Sequence, residues 1–162
     1  MKFKTLLQYC ILFSLMSLFV ASCQYDPYAN LLTTTEPRVE DIIGTYVLDR
    51  YELPNDLSLR KTNIRVELRA DGTFTAINVP PWKLGELDDN FVSKFRSGEG
   101  KWEKSVMGIL DPGSRQIWGI YLRTEDSQFH PADFTGDKPP YGLIFTLGDP
   151  DSGNAIILKK KN

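Results

Sequence analysis

Two cysteines and one histidine in 162 residues leave little for chemistry that depends on either. Cysteine knuckles and multi-histidine zinc sites need more ligands than that. A Ser-His-Asp arrangement would have His130 as its one candidate base, and no G-x-S-x-G motif accompanies it. Neither of the two glycine-rich phosphate loops, G-x-G-x-x-G or G-x-x-x-x-G-K-[ST], occurs in the chain. Positive charge does not dominate either: 19 Lys and Arg against 21 Asp and Glu give a net charge of −2. A mildly acidic chain is poorly suited to phosphate backbones, so nucleic acid is not an expected partner. The longest apolar stretch, Leu6 to Val20, is broken by Gln8, Ser14 and Ser17. It is shorter than the roughly 20 residues of a spanning helix, which makes a transmembrane anchor the lesser reading.

What is present begins with that stretch. Lys2 and Lys4 precede it and the small residues Ala21 and Ser22 follow it, the layout of an export signal. Val20-Ala21-Ser22-Cys23 resembles the lipobox of bacterial lipoproteins, in which an aliphatic residue and two small ones precede a cysteine. The resemblance implies that the Cys23 thiol receives a diacylglyceryl group, that residues 1–22 are then removed, and that the new amino terminus is often acylated as well. The bland alternative is a chance cysteine beside an ordinary cleavage site. A single acyl chain binds a membrane only reversibly, at roughly 0.8 kcal/mol per buried methylene, so two or three chains are needed for a firm anchor. Gln24 stands where the family's sorting rule would place Asp for retention in the inner membrane. The expected location is therefore the cell envelope, at the outer membrane if the host has two.

Removing residues 1–22 leaves 140 residues, enough for one domain with a real core. Lys2 and Lys4 go with the signal, which takes the charge from −2 to −4, and Cys10 goes too. With Cys23 lipidated, no thiol is left for a disulfide, and the core alone must carry the fold. Residues 23–35 are polar, contain Pro27 and lack periodicity, so they read as a flexible tether of up to roughly 40 Å when extended. The folded domain is then 36–162.

Thr35 to Ile43 reads as one capped helical turn, with Thr35 as N-cap, Pro37 early and Gly44 ending it. From Thr45 the period becomes two. Ile64, Val66 and Leu68 alternate with polar residues, Ala70-Asp71-Gly72 is a tight turn, and Thr73 to Val79 returns with Phe74 and Ala76 inward. Pro80-Pro81 stops that strand, and a mixed segment runs to Phe95. Further strands are expected at Gly98–Lys104 with Trp102 inward, at Gln116–Arg123 with Trp118, Ile120 and Leu122 on one face, and in a last hairpin from Tyr141 to Lys160. Thr124 to Pro140 reads as a long polar loop carrying His130. About six or seven short sequential strands predict an all-β, small antiparallel meander barrel, with a two-sheet sandwich as the alternative.

The order of Ile43-Gly44-Thr45-Tyr46, Ala70-Asp71-Gly72-Thr73-Phe74 and Gly98-Glu99-Gly100-Lys101-Trp102 resembles the small lipocalin-like lipoproteins of bacteria, a poorly characterised family. The resemblance implies a barrel and an envelope location and brings no catalytic residues and no cofactor. Trp82, Trp102 and Trp118 are the candidate ligand-binding residues, because such barrels can hold an apolar molecule; for Trp102 and Trp118 core filling is the plainer role. Glu86, Asp88 and Asp89 read as solvated or capping charges rather than an acid/base pair, and Asp149, Asp151 and Asn154 as a hairpin turn rather than a calcium loop. The expected function is thus a non-catalytic, lipid-anchored binding domain for a small apolar ligand or an envelope component. A protein-protein module, such as an immunity or inhibitor lipoprotein, is the alternative.

Overall fold

The structure is a computed structural model that describes residues 26–54, 63–81, 91–110, 114–125 and 129–161. Cys23, Trp82, Glu86, Asp88 and Asp89 lie outside the described residues. The chain forms eight antiparallel strands, each paired with its sequence neighbours, and β1 pairs with β8 to close a barrel. The strands are β1 (Gly44–Glu52), β2 (Arg65–Leu68), β3 (Thr73–Val79), β4 (Arg96–Leu110), β5 (Arg115–Arg123), β6 (Ala132–Thr135), β7 (Gly142–Thr146) and β8 (Ala155–Lys160). Closure decides against the sandwich and gives every strand of the ring a neighbour on each side.

The period-two pattern fixes the two faces of this ring. Val66 lies opposite Ala76, and Leu68 opposite Phe74. Leu143 lies opposite Leu158, and Phe145 opposite Ile156, so alternate side chains converge on the axis. Tyr46, Phe74, Phe91, Phe134 and Phe145 are at 0–1% exposure in one cluster with Leu68, Leu122 and Leu143. Phe74 meets Phe129 edge-to-face at 5.8 Å. The Tyr46 hydroxyl donates to the Ile42 carbonyl at 2.6 Å, which satisfies the one polar atom this ring brings inside.

Turn chemistry behaves locally as read. Gly72 takes φ +80°, and the Asp71 carboxylate accepts from the Thr73 amide at 2.9 Å and its hydroxyl at 2.7 Å. Those bonds to the charged form hold the Asp71 carboxyl below its usual range.

Four expectations need correction. The helical segment, α1, spans only Val39–Ile42, and Thr35 does not cap it. Proline disfavours helical backbone in the residue before it, so Glu36 cannot join a helix ahead of Pro37. At the other end the Lys160 ammonium donates to the Asp41 carbonyl at 2.7 Å, so this lysine serves the helix. The loop expected at 124–140 contains β6, whose Ala132 and Phe134 are buried. Four residues between Pro131 and Gly136 were too short a run to show a period. His130 is not a surface histidine: its backbone N–H donates to Pro80 and its ring lies edge-on to Phe145 at 6.5 Å. Burial lowers its pKa.

The fourth correction concerns the tether. Residues 26–35 lie along the outside of the barrel rather than hanging free. Tyr28 and Leu32 are buried with Ile144, Ala155 and Ile157 of β7 and β8, and Leu110 and Ile117 of the β4–β5 hairpin close over them. β5 and β6 pair only at Gly119–Asp133 and Ile120–Ala132. Beyond that point they part, and Thr33 fills the gap. Its N–H donates to Phe134 at 2.9 Å, its carbonyl accepts from Trp118 at 3.0 Å, and its hydroxyl donates to Gly136 at 2.7 Å. The arm is thus a stitch between two strands whose own ladder ends early, and its partners are a hundred residues away in sequence.

Candidate functional site

Trp102 and Trp118 both lie on the inward-facing side of their strands, opposite Leu122 and Val106 respectively. They stand four positions apart along the ladder, roughly 13 Å at strand rise, so they do not form one aromatic wall. The Trp102 indole N–H donates to the Arg69 carbonyl at 3.0 Å, which ties β4 to the β2–β3 turn. Trp118 carries the Lys104 ammonium 5.3 Å above its ring. Both are half-buried against the main core.

Lys104 is the residue that strand reading passed over. It follows Trp102 by two and therefore shares its inward face, opposite Ile120. Its ammonium leaves the interior at the barrel end, where it pairs with Glu36 at 2.6 Å and donates to the Pro37 carbonyl at 2.9 Å. The alternation alone contained that signal.

On the outer wall, β2 to β5 present a ladder of alternating charge. Glu67, Thr75 and Glu99 form one row, and Thr73, Lys101 and Arg123 the next. An open groove of about 990 Å³ borders it, lined by Arg69, Glu99, Lys101, Arg123 and Glu125 and reaching in to Phe74 and Gly100. Gly100 at its floor has no room for a side chain, since a Cβ there would overlap the Arg123 carbonyl oxygen. Arg69 is steered by the hydroxyls of Thr73 and Thr75 and by Glu67 at 3.6 Å. Arg123 pairs with Glu103 at 3.4 Å and lies over Tyr121. Exposed pairs of this kind contribute about 0–1 kcal/mol each, so a partner can exchange them for its own charges at little cost. A second groove, about 460 Å³, runs beside the arm between Leu31, Asp49, Arg50 and Tyr141.

Beneath the arm, Asp133 occupies the outward face of β6, opposite Gly119 on β5 and Ile144 on β7. Burial, and then the charge of Asp26, push its pKa up to about 6. At the β7–β8 turn the polar groups serve the turn itself: the Asp149 carboxylate accepts from the Asp151 amide at 3.1 Å, and the Ser152 hydroxyl donates to the Asp149 carbonyl at 2.6 Å. Comparison with protein-family models, curated proteins and solved structures finds no match.

Proposed function

We propose that this chain is a lipid-anchored lipoprotein of the cell envelope whose barrel is a non-catalytic binding module that engages an envelope component with its outer wall. The observation that carries the choice of surface is the packing of the axis: Tyr46, Phe74, Phe91, Phe134 and Phe145 occupy the space in which a carrier barrel would hold an apolar guest. That favours a protein partner, in the manner of an immunity or inhibitor lipoprotein, over a small apolar ligand. The charged ladder around Lys101 suits such a partner, because complementary charges supply specificity and encounter rate more than raw affinity. The anchor rests on Val20-Ala21-Ser22-Cys23 and the signal before it. The non-catalytic reading rests on the sequence, in which no G-x-S-x-G motif accompanies the single histidine, His130.

Two experiments test this in the native host. Labelled palmitate should enter the full-length chain and should be lost on Cys23→Ala, with the chain then leaving the membrane fraction. A photoreactive residue at Lys101 should give one discrete protein adduct in living cells, weakened by Arg123→Glu. Palmitate-free chain would sink the anchor, and uniform labelling of unrelated proteins would sink the outer-wall site.

A further inference from the structure

We infer that the unpaired edge of β4 between Glu103 and Val106 takes a short extended segment of a protein partner as an added strand. This rests on the protein-partner reading above and says how such a partner binds. β3 borders β4 only as far as Lys101, which lies opposite Thr73, and the Trp102 N–H then donates to the Gly72 carbonyl of the β2–β3 turn at 2.9 Å. β4 runs on to Leu110 with β5 along one side and, among the described residues, no strand along the other. Main-chain groups alternate in direction along a strand, so Lys104 and Val106 follow Trp102 and aim their N–H and C=O groups away from β5. No main-chain group among the described residues bonds to either on that side, and the Ser105 hydroxyl makes only a long 3.4 Å contact with the Val106 carbonyl.

Open edges are a hazard that proteins cut short with bulges and turns. Here the β2–β3 turn stops the edge at one end, and the register shift between Val106 and Gly108 stops it at the other. What is left is too short to template open-ended pairing, yet it offers Lys104 and Val106 as paired donors and acceptors for strand addition. A second copy of this chain is a poor occupant, because its own β2–β3 turn lies on the same edge beside Trp102. Antiparallel pairing would set that turn against β4 beyond the bulge, and parallel pairing would set turn on turn. A single extended segment carries no such obstacle. Its chemistry follows from the two faces. On the outer face stand Glu103, with its side chain 63% exposed, and exposed Asp71 in the adjoining turn, which call for Lys or Arg. On the other face Val106 is 36% exposed and lies opposite half-buried Trp118, which calls for a branched apolar residue. The segment that fits therefore alternates basic and apolar residues.

The test uses the chain from residue 24 to 162, which holds every described residue, with the peptide acetyl-Val-Lys-Val-Lys-Val-amide as probe. In the free protein the amide hydrogens of Lys104 and Val106 should exchange at least about a hundredfold faster than those of Glu103 and Ser105, which face β5. Saturating probe should slow the first pair by about tenfold or more. Val106→Pro removes a donor that points out of the sheet, at an edge where proline is tolerated, and should weaken the probe by about tenfold. Glu103→Lys repeats the test without touching the backbone: it should weaken the same probe, and the probe with Glu in place of Lys should bind this variant better than the parent. In the native host either substitution should cut the photoadduct from position 101 by about tenfold. Slow exchange at Lys104 and Val106 in the free protein overturns the inference alone. So does a probe that slows neither amide or ignores both substitutions, and so does an adduct that survives both in folded protein. Absence of any adduct from position 101 in the parent overturns the protein-partner reading and the inference with it.

Discussion

Replacing Asp133 by Asn should stabilise the domain at neutral pH, and by less as the pH falls. Burial and the nearby Asp26 charge raise the Asp133 pKa from 3.8 to about 6. Because the folded value lies above the unfolded one, folding takes up a proton at this site. The cost of the ionised carboxylate is absent below about pH 4, grows as the pH rises through the interval, and is complete above about pH 6. A shift of about two units at about 1.36 kcal/mol each amounts to about 3 kcal/mol. The amide of Asn fills the same space without the charge. Urea unfolding of the chain from residue 24 to 162, for variant and parent side by side, should give a gain of about 2 to 3 kcal/mol near pH 8 that shrinks toward zero near pH 4. Taking the difference cancels His130, whose lowered pKa acts in the opposite direction and weakens the fold as the pH falls. A gain that does not change with pH, or a loss at every pH, would refute the reasoning.

Three other perturbations have definite outcomes. Trimming the chain to begin at Glu36 should destabilise it by about 3 to 6 kcal/mol in denaturant unfolding, since it exposes the Tyr28 and Leu32 cluster and leaves the Trp118 N–H and Phe134 carbonyl without Thr33. Phe74→Ala should cost about 3 to 5 kcal/mol by the same assay, because it hollows the axis of the barrel beside Phe129. Gly100→Ala should cost about 1 to 3 kcal/mol, read as a drop in Tm, because its methyl group meets the Arg123 carbonyl.

The barrel was readable wherever pattern and turn chemistry were local. The β2–β3 hairpin follows from alternating Ile64 to Leu68 and from Gly72, and the last hairpin from Leu143, Phe145, Ile156 and Leu158. β6 was hidden because ADFT offers only two inward residues between a proline and a glycine. The arm was hidden for a different reason. Tyr28, Leu32 and Thr33 have no period, and each is held by a partner far away in the chain: Gly153, Ile144 and Phe134. Lys104 was legible in principle, since an inward lysine in a strand must find an exit, but only the fold brings Glu36 and Pro37 to that exit. The groove around Lys101 joins three strands, so no single stretch of sequence announces it.

Native mass spectrometry of the mature protein, released gently from its own envelope, tests the central claim most directly. A filled barrel that works through its outer wall predicts an acylated chain, free of any further small molecule and joined to a protein in fixed ratio. A small apolar molecule that leaves only when the chain unfolds, and is lost on enlarging Ala76 at the axis, would contradict it.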